Sequence, residues 1–148
     1  SEKEFIEMIK NSEFLEYAKV HDNYYGTTKK EIDRIFRVGK IPLLDIDVQG
    51  VKQIKAQFKD GVYIFLIPPS IVELERRLRN RKTDSDEQIA IRLQNAINEL
   101  NEYSMYDYIV VNDAIKEAQK TVESIVQAEK CKISRSTIME KITPKETK

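Results

Sequence analysis

Six consecutive apolar residues, VYIFLI at positions 62–67, lie between Gly61 and Pro68-Pro69. The run is too short for an ordinary helix, is rich in β-branched and aromatic side chains, and is bounded by residues that break regular structure. It therefore predicts a strand. It does not alternate, so both its faces are expected to be buried, as in a parallel sheet covered by helices on each side. Parallel strands need long crossover connections, which demands helices in the flanking sequence.

The flanks supply them. Ser1 with Glu4 forms a capping-box pattern, and Phe5, Ile6 and Ile9 recur at helical spacing to about Ser12. EFLEYAKV then alternates, with Phe14, Glu16 and Ala18 on one side, and predicts a strand carrying a carboxylate on a partly apolar face. HDN reads as a turn and NYYGTT as the return of a hairpin. Thr28 with Glu31 is a second capping box, opening a helix from Lys29 to Val38 that Gly39 stops. Residues 41–46 are expected to form a strand, followed by a helix to about Phe58. Beyond the central run, Ser70 caps a helix to about Asn80, and RKTDSDE is a polar break in which Asp84 with Glu87 signals another helix, to about Tyr103. YDYIVVN at 106–112 predicts a third core strand and 114–130 a last helix. The tail from Cys131 to Lys148 reads as polar and frayed. Strands alternating with helices predict an α/β fold, a parallel sheet flanked by helices, with a small hairpin before it.

Charge and composition exclude several classes. The 25 Lys and Arg balance 25 Asp and Glu, which removes the basic footprint of a nucleic-acid binder. Cys131 and His21 are the only residues of their types, so an internal disulfide and a structural zinc site are both ruled out. No apolar run approaches the roughly 18 residues of a membrane span.

Three stretches carry chemistry. IPLLDIDVQG brings Asp45 and Asp47 to the carboxyl end of an expected strand, where α/β sheets bind ligands. The two alternate around Ile46, so both carboxylates face one side, and like charges so placed call for a metal ion, a cationic side chain or helix N-terminal amides. Capping of a helix at Val48 accounts for one of them. RRLRNR puts Arg77 and Arg81 on one helix face, with Arg92 on the next helix. Arginine forks bind phosphate, although the same spacing suits a solvated face paired with Glu73 and Glu75. NYYGTT offers hydroxyl donors beside a glycine, and the neighbouring Glu16 has only acceptors to present, as an amidine-like edge such as that of guanine requires. An ordinary hairpin remains the plain alternative. Together the three describe the layout of a nucleotide kinase.

EFLEYAKVHDNYYGTTKKEID, LLDIDVQGVKQIK, FLIPPSIVELERRLRNRKTDSDEQIAIRL and YDYIVVND, in this order, resemble guanylate kinase from Phe5 to about Lys130. The resemblance implies transfer of the γ-phosphoryl group of ATP to GMP with Mg²⁺, in the cytoplasm. By position it implies that Glu16 and Thr27 read guanine, Thr27 standing where the family usually has Ser. It implies that Tyr25 holds the GMP phosphate, and that Asp47, with Asp45 beside it, attends the phosphate and the magnesium through water. Arg77, Arg81 and Arg92 would be the clamp of a mobile lid, with Arg81 also touching ATP, and Asn112 would lie near the adenine. The division implied is 1–27 for part of the GMP-binding subdomain, 28–75 and 104–131 for the core, 76–103 for the lid and its long helix, and 132–148 for the tail.

Departures from the family pattern set further expectations. The lid motif GRGT reads NRKT here, with Lys82 for a glycine, and Ala114 stands where an acidic residue is common. No GxxxxGK[ST] motif is present, whereas the family carries this phosphate-cradling loop upstream of the matching region. The chain thus looks like the C-terminal two thirds of such an enzyme, a P-loop fold without its P-loop strand. The expectation is an inactive chain with an open apolar sheet face and a tendency to self-associate. The alternative is a non-catalytic guanylate-kinase-like interaction module. Retention of Glu16, Asp47, Arg77, Arg81 and Arg92 weighs against it, and the missing loop weighs for it.

Overall fold

The computed structural model describes residues 1–20, 23–81 and 84–135. Lys82 and the tail beyond Arg135 lie outside them. The chain divides into two compact units, Ser1–Gly61 and Val62–Lys148, each described by itself.

The first unit is a hairpin between helices. Helix α1 (Glu2–Lys10) opens with the expected capping box, Ser1 accepting from the Glu4 amide while the Glu4 carboxylate returns to the N-terminal residue. Strands β1 (Phe14–Val20) and β2 (Asn23–Thr28) pair antiparallel, Glu16 opposite Thr27 and Tyr17 opposite Gly26, with an irregularity between Phe14 and Glu16. That irregularity breaks the simple alternation expected here, for Phe14, Leu15 and Glu16 are all buried. Phe5 of α1 stacks on Phe14 and on Tyr24, at 4.3 and 5.1 Å between ring centroids, and these rings are the apolar contact between helix and hairpin.

Helix α2 (Lys29–Arg37) is capped by Thr28 Oγ1, which accepts from the Glu31 amide at 3.2 Å, and Gly39, at φ 70°, closes its C-terminus. Only half of the expected box forms. The Glu31 carboxylate turns to Arg34 instead, taking two hydrogen bonds of 2.8 and 2.6 Å, a stronger partnership than one backbone amide. Helix α3 (Val48–Gln57) follows, with Val48, Val51 and Ile54 buried.

Residues 41–46 do not form the expected strand: no ladder includes them. Their exposure nevertheless alternates, with Ile41, Leu43, Asp45 and Asp47 exposed and Pro42, Leu44 and Ile46 half-buried. An alternating pattern prescribes which side chains face inward, but a strand's hydrogen bonds are made to a neighbour and not locally, so the pattern alone cannot supply them.

In the second unit β3 (Ile64–Ile67) and β4 (Tyr108–Val111) pair in parallel, Ile64 with Tyr108 through Ile67 with Val111. The sheet expected from three strands thus has two here. Asp107 closes its lower end: its carboxylate accepts from the Tyr63 amide at 2.8 Å, and its own amide donates to the Tyr63 carbonyl. Phe65 stacks on Tyr106 at 4.4 Å. The run at 62–67 is not buried on both faces, contrary to expectation. Val110 is 2% exposed, yet Leu66, Ile109 and Val111 are each about half exposed. Helix α6 (Ile115–Cys131) packs against β4, and one helix cannot cover both faces of two strands.

Helix α4 (Ile71–Asn80) is capped by Ser70 as expected, and it packs on α5 (Asp86–Leu100). The cap of α5 lies one residue later than the sequence signal. Ser85 and Gln88 form the box, while Asp84 pairs with Arg92. At the end of α6 the buried Glu129 accepts from the Tyr108 hydroxyl and binds Lys132 at 2.6 Å and Arg135 at 2.8 Å. These partners, Lys132 foremost, hold its carboxyl below the usual range.

Candidate active site

In the first unit the hairpin carries Glu16, the carboxylate expected from the sequence to read a base. Glu16 is 8% exposed, and the Thr27 hydroxyl donates to its Oε1 at 2.7 Å. The two are cross-strand neighbours, which accounts for the pairing of residues eleven apart. Its other oxygen faces the start of α3: a Cβ at Gly50 would lie 3.3 Å from Glu16 Oε2 and 3.5 Å from Asp47 Oδ1. Glu16, Thr27 and Asp47 therefore converge on one small region, and the glycine of DIDVQG is what lets the carboxylates approach α3. Tyr25, on the same hairpin, is 59% exposed, with its phenol open to solvent.

Asp47 is the N-cap of α3. Its Oδ1 accepts from the Gly50 amide at 2.8 Å, which leaves Oδ2 outside the cap. The capping role foreseen for one aspartate thus belongs to Asp47. Asp45 is exposed and lies on the same side of the chain as Asp47 by the alternation of residues 41–47.

In the second unit the arginines show both faces of their sequence reading. Glu73 takes two hydrogen bonds from Arg76 and one from Arg77, all at 2.7 Å, and Glu75 pairs with Arg79, as a solvated charged face would have it. Arg76 first and Arg77 second hold the Glu73 carboxyl down to about 2. Arg77 does more. Its Nη1 donates to the Asn112 carbonyl at 2.7 Å and its Nη2 to the Asp113 carbonyl at 3.2 Å, fastening α4 to the turn after β4. Asn112 Oδ1 is buried and has no hydrogen-bond partner among the described residues. An orphaned acceptor of this kind suits a ligand's N–H. A cavity of about 470 Å³ opens there, lined by Glu73, Arg76, Arg77, Asn112, Asp113 and Ile115. Arg81 is the C-cap residue of α4 and is exposed, and Arg92 is held by Asp84 at 3.1 Å. Among the described residues Arg77 is thus joined to Asn112, and Arg81 and Arg92 are joined to neither.

Sequence reasoning missed Gln53 and Gln57 of α3. The Gln53 side-chain amide accepts from the Tyr17 N–H at 3.1 Å and donates to the Tyr17 carbonyl at 2.9 Å, and Gln57 donates to the Leu15 carbonyl at 3.0 Å. No local signal reveals contacts between residues so distant in sequence.

Comparison with known proteins bears on the family and the fold. A family model described as guanylate kinase matches residues 1–129. The guanylate kinase of Clostridium tetani is 44% identical over 135 residues, covering 91% of this chain and 65% of that protein. That of Rickettsia felis is 46% identical over 127 residues, covering 86% of this chain and 66% of that protein. The crystal structure of guanylate kinase from Anaplasma phagocytophilum superposes with a TM-score of 0.75 at 32% identity, covering 97% of this chain and 72% of that one. The chain spans about 65% of the length of the Clostridium tetani relative. With the α/β fold, the Glu16–Thr27 pair and the DIDVQG turn all in place, the chain belongs to the guanylate kinase family.

Proposed function

We propose that this chain carries the base-reading and lid elements of an enzyme that transfers the γ-phosphoryl group of ATP to GMP, giving ADP and GDP. The observation that carries this reading is Glu16, a buried carboxylate already fixed by one hydroxyl and still holding free acceptor positions. Guanine offers an N1–H and a 2-amino group side by side. Glu16 accepts both, and Thr27, whose proton is committed to Glu16, accepts through its remaining lone pairs. Adenine has no such donor pair on that edge, so Glu16 would be left desolvated and unpaired.

The exposed Tyr25 phenol donates to the GMP phosphate. Asp45 and Asp47 present hard oxygen donors. Among the described residues no group of three or more His, Cys, Asp or Glu could hold a metal. One or two carboxylates suffice for magnesium, which takes its other ligands from phosphate and water, so the donor set fits Mg²⁺ arriving with the nucleotide. When bound, Mg²⁺ would offset phosphate charge during transfer. Arg77, Arg81 and Arg92 stabilise the transferring phosphoryl group, and Asn112 Oδ1 accepts from the adenine amine. A cytoplasmic setting goes with these substrates, and no helix among the described residues is long and apolar enough to cross a membrane. Self-association over Leu66, Ile109 and Val111 is the matching proposal for the isolated chain.

The test is a coupled ADP-release assay on the 148-residue chain with ATP, Mg²⁺ and GMP, alongside Asp47→Asn. Asparagine caps a helix as well as aspartate does, so the variant keeps the fold and loses the charge. Turnover that the variant lacks supports the full reading. GMP binding without turnover supports base recognition alone. A chain that neither turns over nor binds GMP refutes the proposal.

A further inference from the structure

β1 has one margin paired with β2, while the Leu15 carbonyl and both peptide groups of Tyr17 turn the other way, toward α3. Gln53 meets Tyr17 as a neighbouring strand would, accepting from its N–H and donating to its carbonyl, and Gln57 meets the Leu15 carbonyl. The residue between those two is Glu16. Both flanking residues of the buried carboxylate are thus tied to one rigid helix, whose first turn, at Gly50, also limits where Glu16 Oε2 can lie. β1 is irregular at this point, between Phe14 and Glu16, so its pairing with β2 does not by itself fix the carboxylate.

We propose that Gln53 and Gln57 are positioning residues that set the guanine selectivity of Glu16. They touch no substrate. They hold the Glu16 backbone so that its two oxygens face both donors of the guanine edge at once, a two-point match that a small rotation would reduce to one. The inference rests on the reading of Glu16 given above.

The experiment is calorimetric titration of the 148-residue chain with GMP and with IMP, which lacks only the 2-amino group. The proteins are the wild type, Gln53→Met, Gln57→Met and Glu16→Gln. Circular dichroism confirms folding, and amide exchange is read at Tyr17. Gln53→Met is expected to lower the GMP-to-IMP affinity ratio about three- to tenfold, the worth of one ordinary hydrogen bond, and to speed exchange of the Tyr17 amide. A general loss of folded protein would weaken both ligands equally and leave the ratio unmoved. Should Gln53→Met fail to fold, Gln57→Met, which removes one bond to β1, carries the same expectation. A ratio unchanged in the folded glutamine variants but lost in Glu16→Gln overturns this inference and leaves the reading of Glu16 standing. A wild type that does not prefer GMP over IMP overturns both.

Discussion

Replacing Gly26 by alanine would set a methyl group against β1. A Cβ at that position would lie 2.8 Å from the Glu16 carbonyl oxygen, 2.9 Å from Phe14 Cδ1 and 3.0 Å from Tyr17 Cβ. Ordinary contact begins near 3.4 Å, so all three neighbours are too close by several tenths of an ångström. None of them yields easily. Two are backbone or next to it, and the third belongs to a buried ring stacked on Phe5. Gly26 does not have positive φ, so space and not conformation demands glycine here. Overpacking of this kind costs about 1–3 kcal/mol. Alanine recovers about 0.5–1 kcal/mol through its lower entropy loss in a strand. The net expectation is a destabilisation of about 1–2 kcal/mol, centred on the hairpin. With a urea dependence of about 1–3 kcal/mol per molar, the midpoint should fall by roughly 0.3–2 M. Equilibrium urea unfolding, followed through the amide signals of Tyr17 and Thr27, reads it directly. A midpoint equal to that of the wild type, or above it, would refute the claim that β1 leaves no room at Gly26.

Further outcomes follow from other contacts. Thr27→Val removes the hydroxyl that donates to Glu16 Oε1 and should weaken GMP binding about tenfold in titration calorimetry, a buried carboxylate having lost its partner. Glu73, with its carboxyl down at about 2 beside Arg76 and Arg77, should stay ionised well below the usual carboxylate range in a ¹³C-detected pH titration. Its folded value lies below the unfolded one, so its contribution to stability is complete above about pH 4.5 and fades as pH falls toward 2. Glu73→Gln should flatten that part of the acid unfolding profile. Ala114 stands at the N-cap of α6 without a side-chain cap, so Ala114→Asp should raise stability by about 1 kcal/mol in chemical denaturation.

Much of this fold was legible because its signals are local. Ser1 with Glu4, Thr28, Gly39 and Ser70 each mark a helix end through a side chain or a φ value acting within a few residues. The hairpin was equally plain, and Glu16 drew notice as a carboxylate on a partly apolar strand. What was missed depends on partners far along the chain, or on competition between near neighbours. Residues 41–46 keep the alternation of a strand but form no ladder, since pattern does not provide a partner. Asp84 looked like a cap but serves Arg92, and Ser85 takes its place. Within the candidate site, the hold of Arg77 on the Asn112 and Asp113 carbonyls joins positions 35 and 36 residues apart. The spacing of arginines on a helix showed only that a guanidinium was available, not that two carbonyls would claim it.

The glutamines of α3 also bear on how the protein behaves in crowded solution. A short hairpin with a bare outer row of amides and carbonyls invites strands from other copies, and stacking of that kind ends in insoluble fibre. On β1 the Leu15 carbonyl and both peptide groups of Tyr17 on that row are already taken by Gln57 and Gln53 of the same chain. An incoming strand would have to displace a helix before it could dock. Two uncharged side chains thereby guard the β1 edge of the hairpin against seeding, and they leave the net charge of the chain untouched.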